Sequence, residues 1–177
     1  VILGPGPIGL LALQLARAAG AGPVIVVGHA SDGHRLETAR RLGAADTLAG
    51  EPAAVIARVM ALTDGAGVPS VIDASGAVSA ATAGLAMVSK GGRLVLVGIY
   101  PEALPIDATR QVVRQMKSIH GAYGGASLDF DRVLALMADG RLDVRPLVSA
   151  LPLGDAVQGF ELLRQKQAFK ILLRPDA

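Results

Sequence analysis

The chain has 177 residues, 51% of them hydrophobic and 18% charged, a balance that excludes an intrinsically disordered polypeptide. Its 17 basic residues nearly cancel its 15 acidic ones and no basic block stands out, so nucleic-acid binding is not expected. There is no cysteine, which excludes disulfides and thiolate metal sites; His29, His34 and His120 are scattered without a paired ligand spacing, so no metal site is expected in this chain.

The first element is a short strand, "VIL" (1–3). A helix rich in Ala and Leu follows over 7–20, with Pro7 at its start, where proline is favoured, and Gly20 at its end. "PVIVVG" (23–28) is a continuous β-branched run, as buried parallel strands are. Residues 32–44 read as an amphipathic helix with Leu36, Ala39 and Leu42 on one side. A weak strand (46–49) and a helix (52–65) come next, then strand 70–76, helix 78–92 and a strong strand over 93–99. A loop with Pro101 and Pro105 leads to a helix at 109–117 and to "SIHGAYGG" (118–125), read as strand then turn. Helices at 127–139 and 154–166 and a last strand at 169–175 close the chain.

Strand alternating with helix predicts right-handed β-α-β crossovers and a doubly wound, six-stranded parallel sheet of order 3-2-1-4-5-6. The alternation stops near 140–154, where prolines gather. The expected division is a dinucleotide-binding domain over 1–145 and a short helix-strand extension over 146–177. No apolar run is long enough for a membrane span and no signal peptide is visible, so no membrane contact is expected and a cytoplasmic location is the default. The chain starts without Met and already in a strand, which reads as a piece of something longer.

"GPGPIG" carries the most chemistry. Gly4 lets the chain turn sharply out of the strand, Gly6 lets a pyrophosphate approach the backbone, and Gly9 lets the helix pack closely on the sheet. The helix N-terminus adds unpaired N–H groups and a partial positive charge. A lone G-x-G-x-x-G is weak evidence; here it follows a strand and opens a helix, which is the required context. The alternatives are a turn chosen for packing alone and the glycine loop of a methyltransferase. An NAD site normally places Asp or Glu at the end of the second strand, and that position is Gly28. His29, Ser31 and Arg35 stand close by and suit a 2′-phosphate, Asp32 is a carboxylate within reach, and Arg35 is equally a solvated helix residue. The choice between NAD and NADP stays open.

"GPGPIGLLALQLARAAGA" with "VIVVG", then "RLETARRLGAAD", "VIDASG", "GGRLVLVGI", "KSIHGAYGG" and the ending "RPLVSALPLGDAVQGFELLRQKQAFKILLRP" resemble the coenzyme (Rossmann) domain of the medium-chain, zinc-dependent alcohol and polyol dehydrogenases. The resemblance covers nearly the whole chain, in order. It implies that Pro5, Gly6, Pro7 and Ile8 line the pyrophosphate. Gly28 and His29 would face the adenosine ribose, with Arg35 at a position basic in many relatives. Ala74 and Ser75 would flank the adenine or ribose, although Ser75 also suits a helix cap. Val97, Gly98 and Ile99 would hold the nicotinamide side, with Ala122 and Tyr123 near the carboxamide. Lys170 matches a basic residue that reaches the pyrophosphate in some relatives.

The resemblance places the catalytic zinc, the substrate pocket and the proton relay in a separate N-terminal domain, so no catalytic residue is nominated in this chain. It implies hydride transfer between NAD(P) and an alcohol or polyol in the longer parent, and cofactor binding without turnover by this chain alone. The last 25 or so residues return to that domain in relatives, so here they are expected to repack or expose apolar surface. The sixth strand would be an open sheet edge, which suits pairing with a second copy in a homodimer or homotetramer. A stand-alone nucleotide-binding or sensing module, without chemistry, is the alternative.

Overall fold

The computed structural model describes residues 1–175. Residues 24–27 are all buried, which demands cover on both sheet faces. The strands β1 (Ile2–Leu3), β2 (Ile25–Gly28), β3 (Asp46–Ala49), β4 (Val68–Asp73), β5 (Val88–Leu96) and β6 (Ser118–Gly121) form one six-stranded sheet in the order β3-β2-β1-β4-β5-β6. All five neighbouring pairs are parallel. This is the expected doubly wound order, with its reversal between β1 and β4. The connecting helices are α1 (Pro7–Ala18), α2 (Gly33–Arg41), α3 (Pro52–Leu62) and α4 (Val78–Met87).

Two glycines show which helix covers which face. A Cβ built on Gly9 of α1 would stand 3.4 Å from the Ile2 side chain, whereas one on Gly84 of α4 would meet Leu3, Val71 and Leu94 at 3.0–3.2 Å. Ile2 and Leu3 are consecutive and point to opposite faces, so α1 and α4 lie on opposite sides of the sheet. On the α4 side, Leu3, Ile25, Val27, Val71 and Leu94 pack with Val55 and Val59 of α3 and with Leu85 and Met87 of α4 into one buried cluster. Leu10 and Leu13 of α1 are fully buried.

Three elements depart from the pattern reading, each for a local reason. The helix expected through residue 92 stops at Met87, and β5 starts at Val88, paired with Val68. The Gly-rich stretch after it lies too close to β4 for a helix: a Cβ on Gly92 would come within 2.8 Å of the Pro69 carbonyl oxygen. β4 itself starts before Pro69, because the sheet register shifts between Val68 and Ser70 and proline is tolerated at such an irregularity. The helix expected at 109–117 is a π-helical segment, Ala108–Val113, with Arg114 N–H donating to the Thr109 carbonyl at 3.0 Å and Asp107 accepting from Arg110 N–H at 2.9 Å.

Contacts divide the chain after Ala126 into two compact units. The second holds α5 (Ser127–Ala138), α6 (Ala156–Arg164) and two parallel strands, β7 (Val148–Pro152) and β8 (Lys170–Arg174). β7 has no counterpart in the pattern reading, because prolines at 146 and 152 bracket its short run. Leu142, Leu147, Ala168 and Phe169 are buried, while Val157 and Phe160 of α6 are exposed. Among the described residues no helix is long and apolar enough to cross a membrane.

Candidate cofactor-binding site

In a parallel sheet all carboxyl ends of the strands share one edge, so every loop that follows a strand opens there. Gly4–Gly9 follows β1, Gly28 and His29 close β2, Ala74 and Ser75 follow β4, Val97–Ile99 follow β5, and Ala122 and Tyr123 follow β6. The structure therefore gathers these sequence-predicted residues on one edge. Close backbone approaches knit the loops together. A Cβ on Gly28 would stand 3.0 Å from Pro5 Cγ, one on Gly4 2.9 Å from Ser75 N, and one on Gly98 2.4 Å from Gly76 N. At Gly4 and Gly98 a Cβ would overlap main-chain atoms, so glycine is required there; at Gly28 the Pro5 ring would have to give way slightly. Gly4 also sits at φ +96°, a conformation that glycine adopts without strain.

The three glycines of the turn have distinct surroundings. Gly9 has no room, since a Cβ there would lie 1.9 Å from the Gly4 carbonyl oxygen. Gly6 faces open space, with nothing within 4 Å of a built Cβ. It is the N-cap of α1, followed by Pro7, and no side chain caps the helix or places an acid in its first turn. The helix start is thus uncapped, positive and reachable at Gly6, with Pro7 supplying no N–H of its own. Ile8, 55% exposed, flanks it. These features fit the pyrophosphate of a dinucleotide: a cradle without side chains at the end of a helix dipole.

The ribose corner differs from the common acidic design. Asp32, the nearest carboxylate, is 7% exposed, and its Oδ2 accepts the His29 N–H at 2.9 Å. It therefore serves the turn after β2. His29 is exposed, and its Nδ1 accepts the Ser31 N–H at 3.2 Å, which puts the proton of a neutral ring on Nε2. Arg35 is half-buried in the first turn of α2.

Sequence reasoning did not single out Asp73 and Tyr100. Asp73 ends β4 at 0% exposure. Its Oδ1 accepts from Ser75 N–H at 2.9 Å and from the Ser75 hydroxyl at 2.6 Å; its Oδ2 accepts from the Tyr100 hydroxyl at 2.5 Å. Burial, followed by the hydrogen bond and charge of Asp73, pushes the Tyr100 phenol above its ordinary range. The Ser75 hydroxyl also accepts from Ala77 N–H at 3.1 Å, so it is engaged inside its own turn. The available signal was a carboxylate directly following the apolar pair Val71 and Ile72 at the strand end. Tyr123 is 95% exposed and Ile99 80% exposed. Lys170 begins β8, in the second unit.

A cleft of about 450 Å³ lies at the opposite, amino edge of the sheet, lined by Lys90, Arg110, Gln111, Gln115 and Lys117 among others. None of the predicted cofactor residues lines it. Lys117 Nζ donates to the Leu85 carbonyl at 2.8 Å, and burial holds its pKa below the usual lysine value. Among the described residues no three His, Cys, Asp or Glu side chains are grouped to hold a metal ion.

A family model described as zinc-binding dehydrogenase matches residues 7–139, which run from Pro7 in the glycine turn through the five strands β2–β6 and α5. The chain belongs to the zinc-binding dehydrogenase family. It is 35% identical over 176 residues to an L-threonine 3-dehydrogenase of Bacillus subtilis, covering 98% of this chain and 50% of that protein. A D-arabitol-phosphate dehydrogenase of Enterococcus avium is 32% identical, over 99% of this chain and 50% of its own length. Among solved structures, an alcohol dehydrogenase from Thermus sp. ATN1 superposes with a TM-score of 0.81 at 31% identity, over 99% of this chain and 50% of that one. An alcohol dehydrogenase from Thermotoga maritima gives 0.88 at 25% identity, over 99% and 49%. The chain spans about half the length of the curated relatives that it matches. Membership of this dehydrogenase family implies NAD(P) and zinc in the full-length enzymes.

Proposed function

We propose that this chain is the coenzyme-binding part of an alcohol or polyol dehydrogenase and holds NAD or NADP along the carboxyl edge of its sheet. The open cradle at Gly6, on an uncapped helix start, is the observation that carries this reading. Gly4, Pro5, Gly6, Pro7, Ile8 and Gly9 take the pyrophosphate; Gly28, His29 and Arg35 the adenosine ribose; Ala74 and Ser75 the adenine side. Val97, Gly98, Ile99, Ala122 and Tyr123 serve the nicotinamide side. When bound, the nicotinamide supplies the hydride acceptor or donor for chemistry at a carbinol carbon. The residues of this chain bind and orient it. The zinc belongs to residues outside this chain, so the chain alone binds coenzyme without turning alcohol over.

We propose a domain boundary at residue 145, with 146–177 as the extension that meets the catalytic domain in the complete enzyme; contacts group α5 with the second unit, whereas the matched model runs on through α5 to 139. The exposed edge strand β6, bonded among the described residues to β5 alone, supports a homodimer or homotetramer through pairing of this edge. Titrating the chain with NADH and NADPH tests the proposal: saturable binding supports it, and a folded chain that binds neither overturns it.

A further inference from the structure

The turn after β5 is fastened to a single residue. The Asp73 main-chain carbonyl accepts from Val97 N–H at 2.9 Å and Gly98 N–H at 3.0 Å, and its side-chain Oδ2 accepts from Tyr100 O–H at 2.5 Å. Residues 97–100 are therefore held at both ends by one strand terminus. Between those ends Ile99 points outward, 80% exposed, and its carbonyl oxygen would stand 2.7 Å from a Cβ built on Gly76, a glycine at φ +71°. Asp73 is fully buried, and Tyr100 is the donor that its Oδ2 has among the described residues. A buried carboxylate holds its donors strongly, since water does not compete for it. The other carboxylate oxygen fastens Ser75, in the turn after β4, so the two turns are set by separate bonds.

We propose that Tyr100 is a positioning residue for the nicotinamide half of the coenzyme: its hydroxyl, bonded to buried Asp73, fixes the backbone at Val97–Ile99 where that half is bound. The proposal rests on the reading of this edge as a dinucleotide site. It separates Tyr100 from the adenine side, which the β1, β2 and β4 turns serve without it. It also gives a reason for an aromatic hydroxyl just past the strand, in a chain with two tyrosines in all.

The test compares NADH with 5′-AMP, which carries only the adenine half. For Tyr100→Phe, NADH affinity is expected to fall about tenfold, the scale of a lost hydrogen bond to a charged group. AMP affinity is expected to change less than about twofold, because Ser75 on the adenine side keeps both of its bonds to the other oxygen of Asp73, Oδ1. Equal losses for both ligands would mark general loosening and overturn the positioning role, as would unchanged NADH affinity. A wild-type chain that binds neither NADH nor NADPH overturns the dinucleotide reading itself; a wild-type chain that binds while Tyr100→Phe binds equally well overturns only the role of Tyr100. Should Tyr100→Phe fold poorly, the wild-type chain answers through isotope-labelled Tyr100 Cζ. A phenol that stays protonated through about pH 10 upholds the bond to Asp73, and ionisation there overturns it.

Discussion

Gly6 and Gly9 stand three residues apart in one motif and are predicted to fail in different ways. A methyl group at Gly9 would overlap the Gly4 carbonyl oxygen, 1.9 Å away, so the backbone of the turn must move. Gly9→Ala is expected to destabilise the chain by about 3 kcal/mol. At Gly6, φ is −80° and the space is open, so Gly6→Ala is expected to cost about 1 kcal/mol or less of stability. It should still weaken NADH binding about tenfold, because the methyl group occupies the ligand side. Thermal melts beside fluorescence titrations separate the two effects. Tyr100 supplies a pH prediction. Its folded pKa is raised, so above the ordinary phenol range, about pH 10, the unfolded chain releases a proton that the folded chain keeps. Folding stability is fully present below that range and falls as pH rises beyond it. Tyr100→Phe should flatten this alkaline limb in denaturant midpoints measured across it. The glycine turn was legible from sequence because its chemistry requires absent side chains at fixed spacing. The bond between Asp73 and Tyr100 was not, because its partners lie 27 residues apart and no local pattern links them.

At the scale of elements, the sheet depends on small residues where helices approach. Gly84 on α4 packs against Leu3, Val71 and Leu94, leaving 3.0–3.2 Å for an added Cβ. Gly84→Leu is expected to cost about 2–3 kcal/mol through overpacking, read as a lower urea midpoint with an unchanged slope. An unchanged midpoint would mean that α4 does not sit against the sheet through this glycine. Order and type of the strands were readable because buried parallel strands are β-branched runs between helices, as "VIVVG" is. Boundaries were less so. α4 and β5 exchange residues 88–92 because pairing of Val88 with Val68 outweighs the local helical pattern. β7 was hidden because its pairing partner β8 lies beyond a whole helix, and prolines at 146 and 152 read as loop.

In the whole molecule, a family fold carries one functional edge. The ribose corner bears on which coenzyme is preferred: Gly28 holds the usual acidic position, and Asp32 is buried against His29 N–H. With Gly28 at the usual acidic position and Asp32 turned into its own loop, NADPH is expected to bind within about threefold of NADH or more tightly. A clear NADH preference would remove the role given to Arg35. The most direct measurement of the central claim is an equilibrium titration of the folded chain with NADH and NADPH, repeated on Gly6→Ala. The account predicts saturable binding of at least one coenzyme, weakened by the substitution while the melting temperature holds. A folded chain that binds neither, or a Gly6→Ala chain that binds as well as the original, would contradict it.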